Sequence, residues 1–216
     1  MLNTAIVILA LLLMPTLLYF EKKVVRQGML PTKSALSLLF IVAAVIQPHP
    51  LARYYGFLLA GLIFCLGGDV FLALPQKKMF LLGLVSFLIG HVFYVLAFIT
   101  IAHMTGWVWS GFLVTIAISA LVFRWLKPHL GDMQVPVLFY VIVISAMVCA
   151  ALTVFANPAL RSAGRGMILV GAISFYLSDL FVARDRFLKN EFINRLVGLP
   201  LYYLGQFLLA FSVGYL

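Results

Sequence analysis

The chain has 216 residues, 65% of them apolar and only 10% charged, with a formal net charge of +9. A soluble domain carries about a quarter charged residues, so this composition excludes an ordinary water-soluble globule and points into lipid. A basic excess of this kind could suit nucleic acid or an anionic surface, but its placement along the chain gives it a plainer meaning.

In chain order, the apolar runs that read as membrane-crossing helices are 2–20, 34–47, 54–74, 79–101, 107–126, 135–156, 166–183 and 196–216. Most reach the ~20 residues needed to cross ~30 Å of hydrocarbon at a rise of about 1.5 Å per residue. The second is short, and it is expected to tilt, to thin the bilayer or to extend backward through Pro31 and Lys33. The first has no basic residue before it and is long enough to span, so it reads as a retained helix and not as a cleaved leader. Pro48, Pro50, Pro75, Pro128, Pro136 and Pro158 fall at or near span ends, where a proline costs little. Eight such spans use up the chain. The expected fold is therefore all-α, a single transmembrane domain over 1–216 built as a bundle of about eight helices. Cys65 and Cys149 lie inside apolar runs with no pairing or metal spacing, and read as small buried residues.

Orientation follows from the connectors. Those after spans one, three, five and seven hold Lys22, Lys23, Arg26, Lys33, Lys77, Lys78, Arg124, Lys127, Arg184, Arg186, Lys189 and Arg195. Those after spans two, four and six hold Arg53, Arg161 and Arg165, which makes twelve against three. The positive-inside rule puts the odd connectors in the cytoplasm and both termini outside, as expected of a multi-pass protein of a bacterial cytoplasmic (inner) membrane. Tyr54, Tyr55, Trp107, Trp109 and Trp125 near span ends suit the interfaces. The charge reports topology, and a nucleic-acid partner has nothing left to explain.

A weak internal echo joins spans three and seven. Gly61-Leu62-Ile63 through Gly68-Asp69-Val70-Phe71-Leu72-Ala73 resembles Gly171-Ala172-Ile173 through Ser178-Asp179-Leu180-Phe181-Val182-Ala183, at an offset of 110 residues. Two parallel four-helix halves would explain it, a plan that places sites at the repeat interface.

Six acidic residues exist in the chain. Glu21, Asp132, Asp185 and Glu191 fall in connectors, whereas Asp69 and Asp179 fall inside apolar helices. An ionised aspartate at the centre of a span costs about 2.5–3.5 kcal/mol on insertion scales, so two of them need a reason. Asp69 lies ~12 Å along its helix from Lys77, and Asp179 ~7.5 Å from Arg184, so both approach from the basic side at similar depth. Neither has a cation within one turn of its own helix. The simplest partner for each is the other, or water in a shared cavity, and two close carboxyl groups in low dielectric cannot both ionise. One residue type then supplies both an acid and a base.

Further polar residues mark candidate binding positions. His91 and Tyr94 share a face of span four at i and i+3. On span eight, Tyr202, Tyr203 and Gln206 form a patch, and Ser174 and Ser178 flank Asp179 on span seven. Helix packing explains the serines better than substrate contact does, whereas His91, Tyr203 and Gln206 suit either role. Gly83, Ser86 and Gly90 form a close-packing face on span four. His49 and His103 fall on the opposite side from His129, so the histidines do not make a metal set, and a zinc hydrolase is disfavoured.

Gly68-Asp69, Phe80-Leu81-Leu82-Gly83 with Phe87, His91 and Tyr94, then Ser174-Phe175 with Ser178-Asp179, and Tyr202-Tyr203-Leu204-Gly205-Gln206 together resemble the YhhN-like lysoplasmalogenase family of multi-pass membrane proteins. Pro31-Thr32-Lys33 fits the same pattern. The resemblance runs from about Lys33 to Ser212. It implies an eight-helix enzyme that hydrolyses the vinyl-ether bond of lysoplasmalogens, a lysophospholipid substrate, to a fatty aldehyde and glycerophospho-choline or -ethanolamine. By similarity Asp69 and Asp179 match the family's intramembrane aspartates, and His91, Tyr94, Ser178, Tyr203, Gln206 and Lys33 are candidates for substrate contact, Lys33 through the phosphate. No metal and no cofactor are implied; the partners are the lipid substrate and membrane lipids.

A proton-coupled transporter also uses buried aspartates and repeats, and is the alternative. An intramembrane aspartyl protease is disfavoured, because Leu66 stands where its Gly-x-Gly-Asp motif needs glycine.

Overall fold

The structure, a computed structural model, describes residues 2–216 apart from the side chain of Lys77; that connector cation lies outside the described residues. Eight helices make up nearly all of the described chain: α1 (Leu2–Lys23), α2 (Arg26–Val45), α3 (Ala52–Ala73), α4 (Lys77–Ile99), α5 (Val108–Leu126), α6 (Gln134–Phe155), α7 (Ser162–Ala183) and α8 (Phe192–Ser212). Short 3-10 turns lead into α6, and a π-turn over Arg184–Leu188 follows α7. There is no strand among the described residues. Seven helices are long and apolar enough to cross a membrane, and α8 joins them with 21 residues. Leu11, Leu12, Leu113, Ile116 and Leu121 stand exposed on α1 and α5, which water would not tolerate on this scale but lipid does. The protein is a multi-pass, all-α membrane bundle.

The second span does extend backward, and further than Pro31. Helix α2 starts at Arg26, with Pro31 in its second turn, and the Thr32 hydroxyl donates to the Gly28 carbonyl at 2.7 Å. Arg26 and Lys33, read above as connector cations, therefore belong to the helix. Lys33 does not end the span because its charge finds a buried counter-ion, described below. Helices α7 and α8 likewise start earlier than their apolar runs, and the Arg165 guanidinium is accommodated by the carbonyls of Phe155 and Asn157.

The tightest helix pairs are α3 with α4 and α7 with α8. Helix α2 lies against α3 and α8, while α6 lies against α7 and α4; α1 and α5 sit outside α2 and α6. Exchanging α1–α4 with α5–α8 maps these neighbours onto one another, so the bundle is two interlocked parallel halves. Glycines fix the matching crossings. A Cβ on Gly61 would stand 3.0 Å from the Gly90 carbonyl oxygen, and one on Gly205 would stand 2.8 Å from that of Gly171. Any larger residue would hold these backbones apart. Asp69 follows Gly61 by eight residues, as Asp179 follows Gly171, which puts both carboxyl groups about 12 Å beyond equivalent crossings.

Candidate active site

Asp69 projects from α3 into the seam with α2 and α8, and is 1% exposed. Its Oδ2 accepts hydrogen bonds from Ser37 Oγ and Tyr202 Oη, both at 2.6 Å, and Lys33 Nζ lies 3.6 Å from Oδ1. A buried carboxylate with a cation and two donors is compensated on both oxygens. Ser37 and Lys33 are four apart on α2, so one helix face presents both.

Asp179 projects from α7 toward α6, where Tyr140 Oη donates to its Oδ2 at 2.7 Å. No cation forms an ion pair with it among the described residues. The inequality breaks the internal repeat. Gly90 and Gly205 are equivalent, so Tyr202 corresponds to Phe87; the helix ends Val45 and Phe155 are equivalent, so Ser37 and Lys33 correspond to Met147 and Val143. Polar partners of one aspartate are thus apolar residues in the other half. Phe87 and Tyr202 meet edge to face, with ring centroids 5.8 Å apart.

Both aspartates line one cavity of about 500 Å³, a size typical of small-ligand sites. They are not hydrogen-bonded to each other: Lys33 and Tyr140 take the place that each was expected to fill for the other, and the two carboxyl groups share only the cavity. Its far wall is apolar, from Val122 and Leu126 on α5 and Val137, Val141 and Ile144 on α6. Toward the basic end it reaches the α7–α8 connector and the end of α1. There Arg195 pairs with Asp185 at 2.9 Å and with Glu21 at 3.5 Å. Arg184 and Lys189 both pair with Glu191, and Lys189 foremost holds that carboxyl below the usual carboxylate range.

Of the other residues singled out by the sequence, Lys33 and Ser178 line the cavity. The Ser178 hydroxyl donates to the Phe175 carbonyl at 2.7 Å. Tyr94, Tyr203 and Gln206 stand behind the cavity wall. Gln206 Nε2 donates to Tyr202 Oη at 3.1 Å, Tyr94 Oη donates to Gln206 Oε1 at 2.7 Å, and Tyr203 Oη donates to the Lys33 carbonyl at 3.3 Å. These three brace the Asp69 cluster. His91 is fully buried with neither ring nitrogen hydrogen-bonded, its ring edge-on to Phe175 and Tyr140 at 4.5 and 5.3 Å between centroids. Ser37 and Tyr140, which touch the aspartates directly, were not singled out. Their apposition is made by packing between helices and leaves no local spacing to read. Among the described residues no group of three His, Cys, Asp or Glu side chains could hold a metal ion.

The profile of the YhhN family matches residues 29–213. A Mycobacterium bovis protein named lysoplasmalogenase is 31% identical over 178 residues, 79% of this chain, and a Mycobacterium tuberculosis protein of the same name matches equally. The chain spans 63% of the length of these mycobacterial relatives. Human lysoplasmalogenase TMEM86A is 34% identical over 180 residues, covering 75% of this chain and 70% of its own. No solved structure matches. With the profile covering both aspartate-bearing helices and nearly all of the bundle, the chain belongs to the YhhN family.

Proposed function

We propose that this protein hydrolyses the vinyl-ether bond of lysoplasmalogens, releasing a fatty aldehyde and a glycerophospho-choline or -ethanolamine. The observation that carries the reading is the pair of intramembrane carboxyl groups, unequal in their partners, that open on one amphipathic cavity. Relatives bearing the name lysoplasmalogenase support it.

Vinyl ethers are cleaved by protonation of the β-carbon, which leaves an oxocarbenium ion for water to attack. Proton transfer to carbon is slow and needs a positioned acid. Asp179 takes that role, since it has a hydroxyl donor but no cation to hold a negative charge in place. Tyr140 fixes Oδ2, leaving Oδ1 to carry the proton. Asp69, held ionised by Lys33, Ser37 and Tyr202, stabilises the cation and accepts a proton from the attacking water. Asp179 is then ionised and Asp69 protonated; as the hemiacetal collapses to aldehyde and alcohol, Asp69 gives its proton to the leaving glycerol oxygen and Asp179 takes the proton of the hemiacetal hydroxyl, which restores both groups. Glycosidases meet a related oxocarbenium-like transition state with two carboxyl groups. The alkenyl chain lies along the apolar α5–α6 wall, which replaces the lipid tails that surround it in the bilayer. The basic end faces the cytoplasm, with both termini outside.

Purified protein incubated with a lysoplasmalogen and with its saturated ether analogue tests the proposal. Aldehyde should come from the vinyl ether alone. Release from neither refutes hydrolysis.

A further inference from the structure

The geometry points to a phosphate-binding subsite formed by Arg186 against Phe80, where the cavity reaches the α7–α8 connector; it rests on the reading of the cavity as a lysophospholipid site. Among the described residues three cations line the cavity, Lys33, Arg186 and Arg195. Lys33 is committed to Asp69, and Arg195 to Asp185 and Glu21. Arg186 makes no ion pair among the described residues. Its guanidinium lies over the Phe80 ring, 4.3 Å from the centroid, and Phe187 packs edge-on to the same ring at 6.0 Å. One face of the guanidinium is thus covered by an aromatic surface that restricts its rotamers, while its in-plane N–H groups stay available for the forked contact that phosphate oxygens accept.

The spacing fits the chemistry. Arg186 follows Asp179 by seven residues, or about 10 Å at helical rise, and its own side chain can shorten that reach. In a lysoplasmalogen the phosphorus lies about seven bonds from the carbon to be protonated, roughly 8 Å when extended. A vinyl group at Asp179 therefore brings the phosphate to Arg186 and leaves the alkenyl chain against the apolar wall. The connector adopts a π-turn over Arg184–Leu188, and such turns re-aim side chains at functional positions. Phosphate recognition accordingly belongs to Arg186 and not to Lys33, whose ammonium serves the aspartate.

The test uses full-length protein in nanodiscs, wild type against Arg186→Gln and Arg186→Lys. Substrates are lysoplasmenylcholine and the matching 1-alkenyl glycerol, which lacks the phosphate. Arg186→Gln should raise KM for lysoplasmenylcholine about tenfold with kcat little changed, and leave the alkenyl glycerol unaffected; Arg186→Lys should fall between. Equal losses on both substrates, or none on either, overturn the subsite. Binding of the uncleavable 1-alkyl lysophosphocholine, measured directly, keeps the question separate from catalysis. If wild type cleaves neither substrate, the hydrolase reading fails, but about tenfold weaker binding of this probe by Arg186→Gln still upholds the subsite, and equal affinities refute it.

Discussion

Replacing Lys33 with methionine asks whether the cation on α2 holds the Asp69 charge. The two charged atoms stand 3.6 Å apart, and both side chains are almost wholly buried, at 9% and 2% exposure. Coulomb attraction at an effective dielectric near 20 is then about 4–5 kcal/mol. Removing one member of a buried pair costs about 3–5 kcal/mol, because the remaining charge loses its partner but not its burial. Lys33→Met should therefore lower the melting temperature in detergent by on the order of 10 °C. Asp69→Asn, which strands the ammonium, should cost a similar amount. The double variant strands neither charge and should be less destabilised than either single one. Thermal unfolding of the four proteins, followed by intrinsic fluorescence in one detergent, yields the coupling directly. Single effects that add to within about 0.5 kcal/mol would refute a charge pair at this site.

Four other outcomes follow from the same geometry. Asp69→Asn and Asp179→Asn should each reduce aldehyde release by about 10²-fold or more while the protein stays folded and inserted, as checked by size-exclusion profile and initial rates. Tyr202→Phe removes a direct hydrogen bond to Asp69, and Gln206→Leu removes only the donor behind it, so kcat should fall more in the first, by about 1.5–3 kcal/mol in barrier height. His91→Leu should keep full activity and raise stability by about 1 kcal/mol, since both ring nitrogens are buried without partners; a large loss of kcat would put the imidazole into the chemistry. Gly205→Ala drives a methyl group to 2.8 Å from the Gly171 carbonyl and should cost about 1–3 kcal/mol in a melt, whereas Gly56→Ala meets nothing within 4 Å and should be neutral.

The spans were legible because bilayer thickness forces long apolar runs, whatever the tertiary contacts. The exception was α2, where a lysine inside a helix looks like a connector until its counter-ion is seen. Asp69 and Asp179 stood out for the same energetic reason that Lys33 was misplaced: a charge within a span is costly unless something answers it, and the answer lies on another helix. Ser37 and Tyr140 could not be found that way, since a serine and a tyrosine in apolar runs are ordinary residues until packing sets them beside a carboxyl group. The duplication was visible only as a faint echo at the aspartates. The fold makes it plain through the paired glycine crossings, which a side-chain pattern registers weakly. Its chemical asymmetry, Tyr202 against Phe87 and Ser37 against Met147, emerges once the helices are matched by structure.

Protonation of the alkenyl β-carbon is tested most directly by running the reaction in D₂O and reducing the aldehyde to its alcohol as it forms. The account predicts one deuterium in a single configuration at the carbon next to the former carbonyl, since a fixed carboxyl group delivers it to one face, and product formed about 10²-fold more slowly or less by Asp179→Asn. Deuterium shared equally between the two configurations would mean that the C–O bond breaks first and an enol takes its proton from solvent, and would contradict Asp179 as the proton source for the carbon.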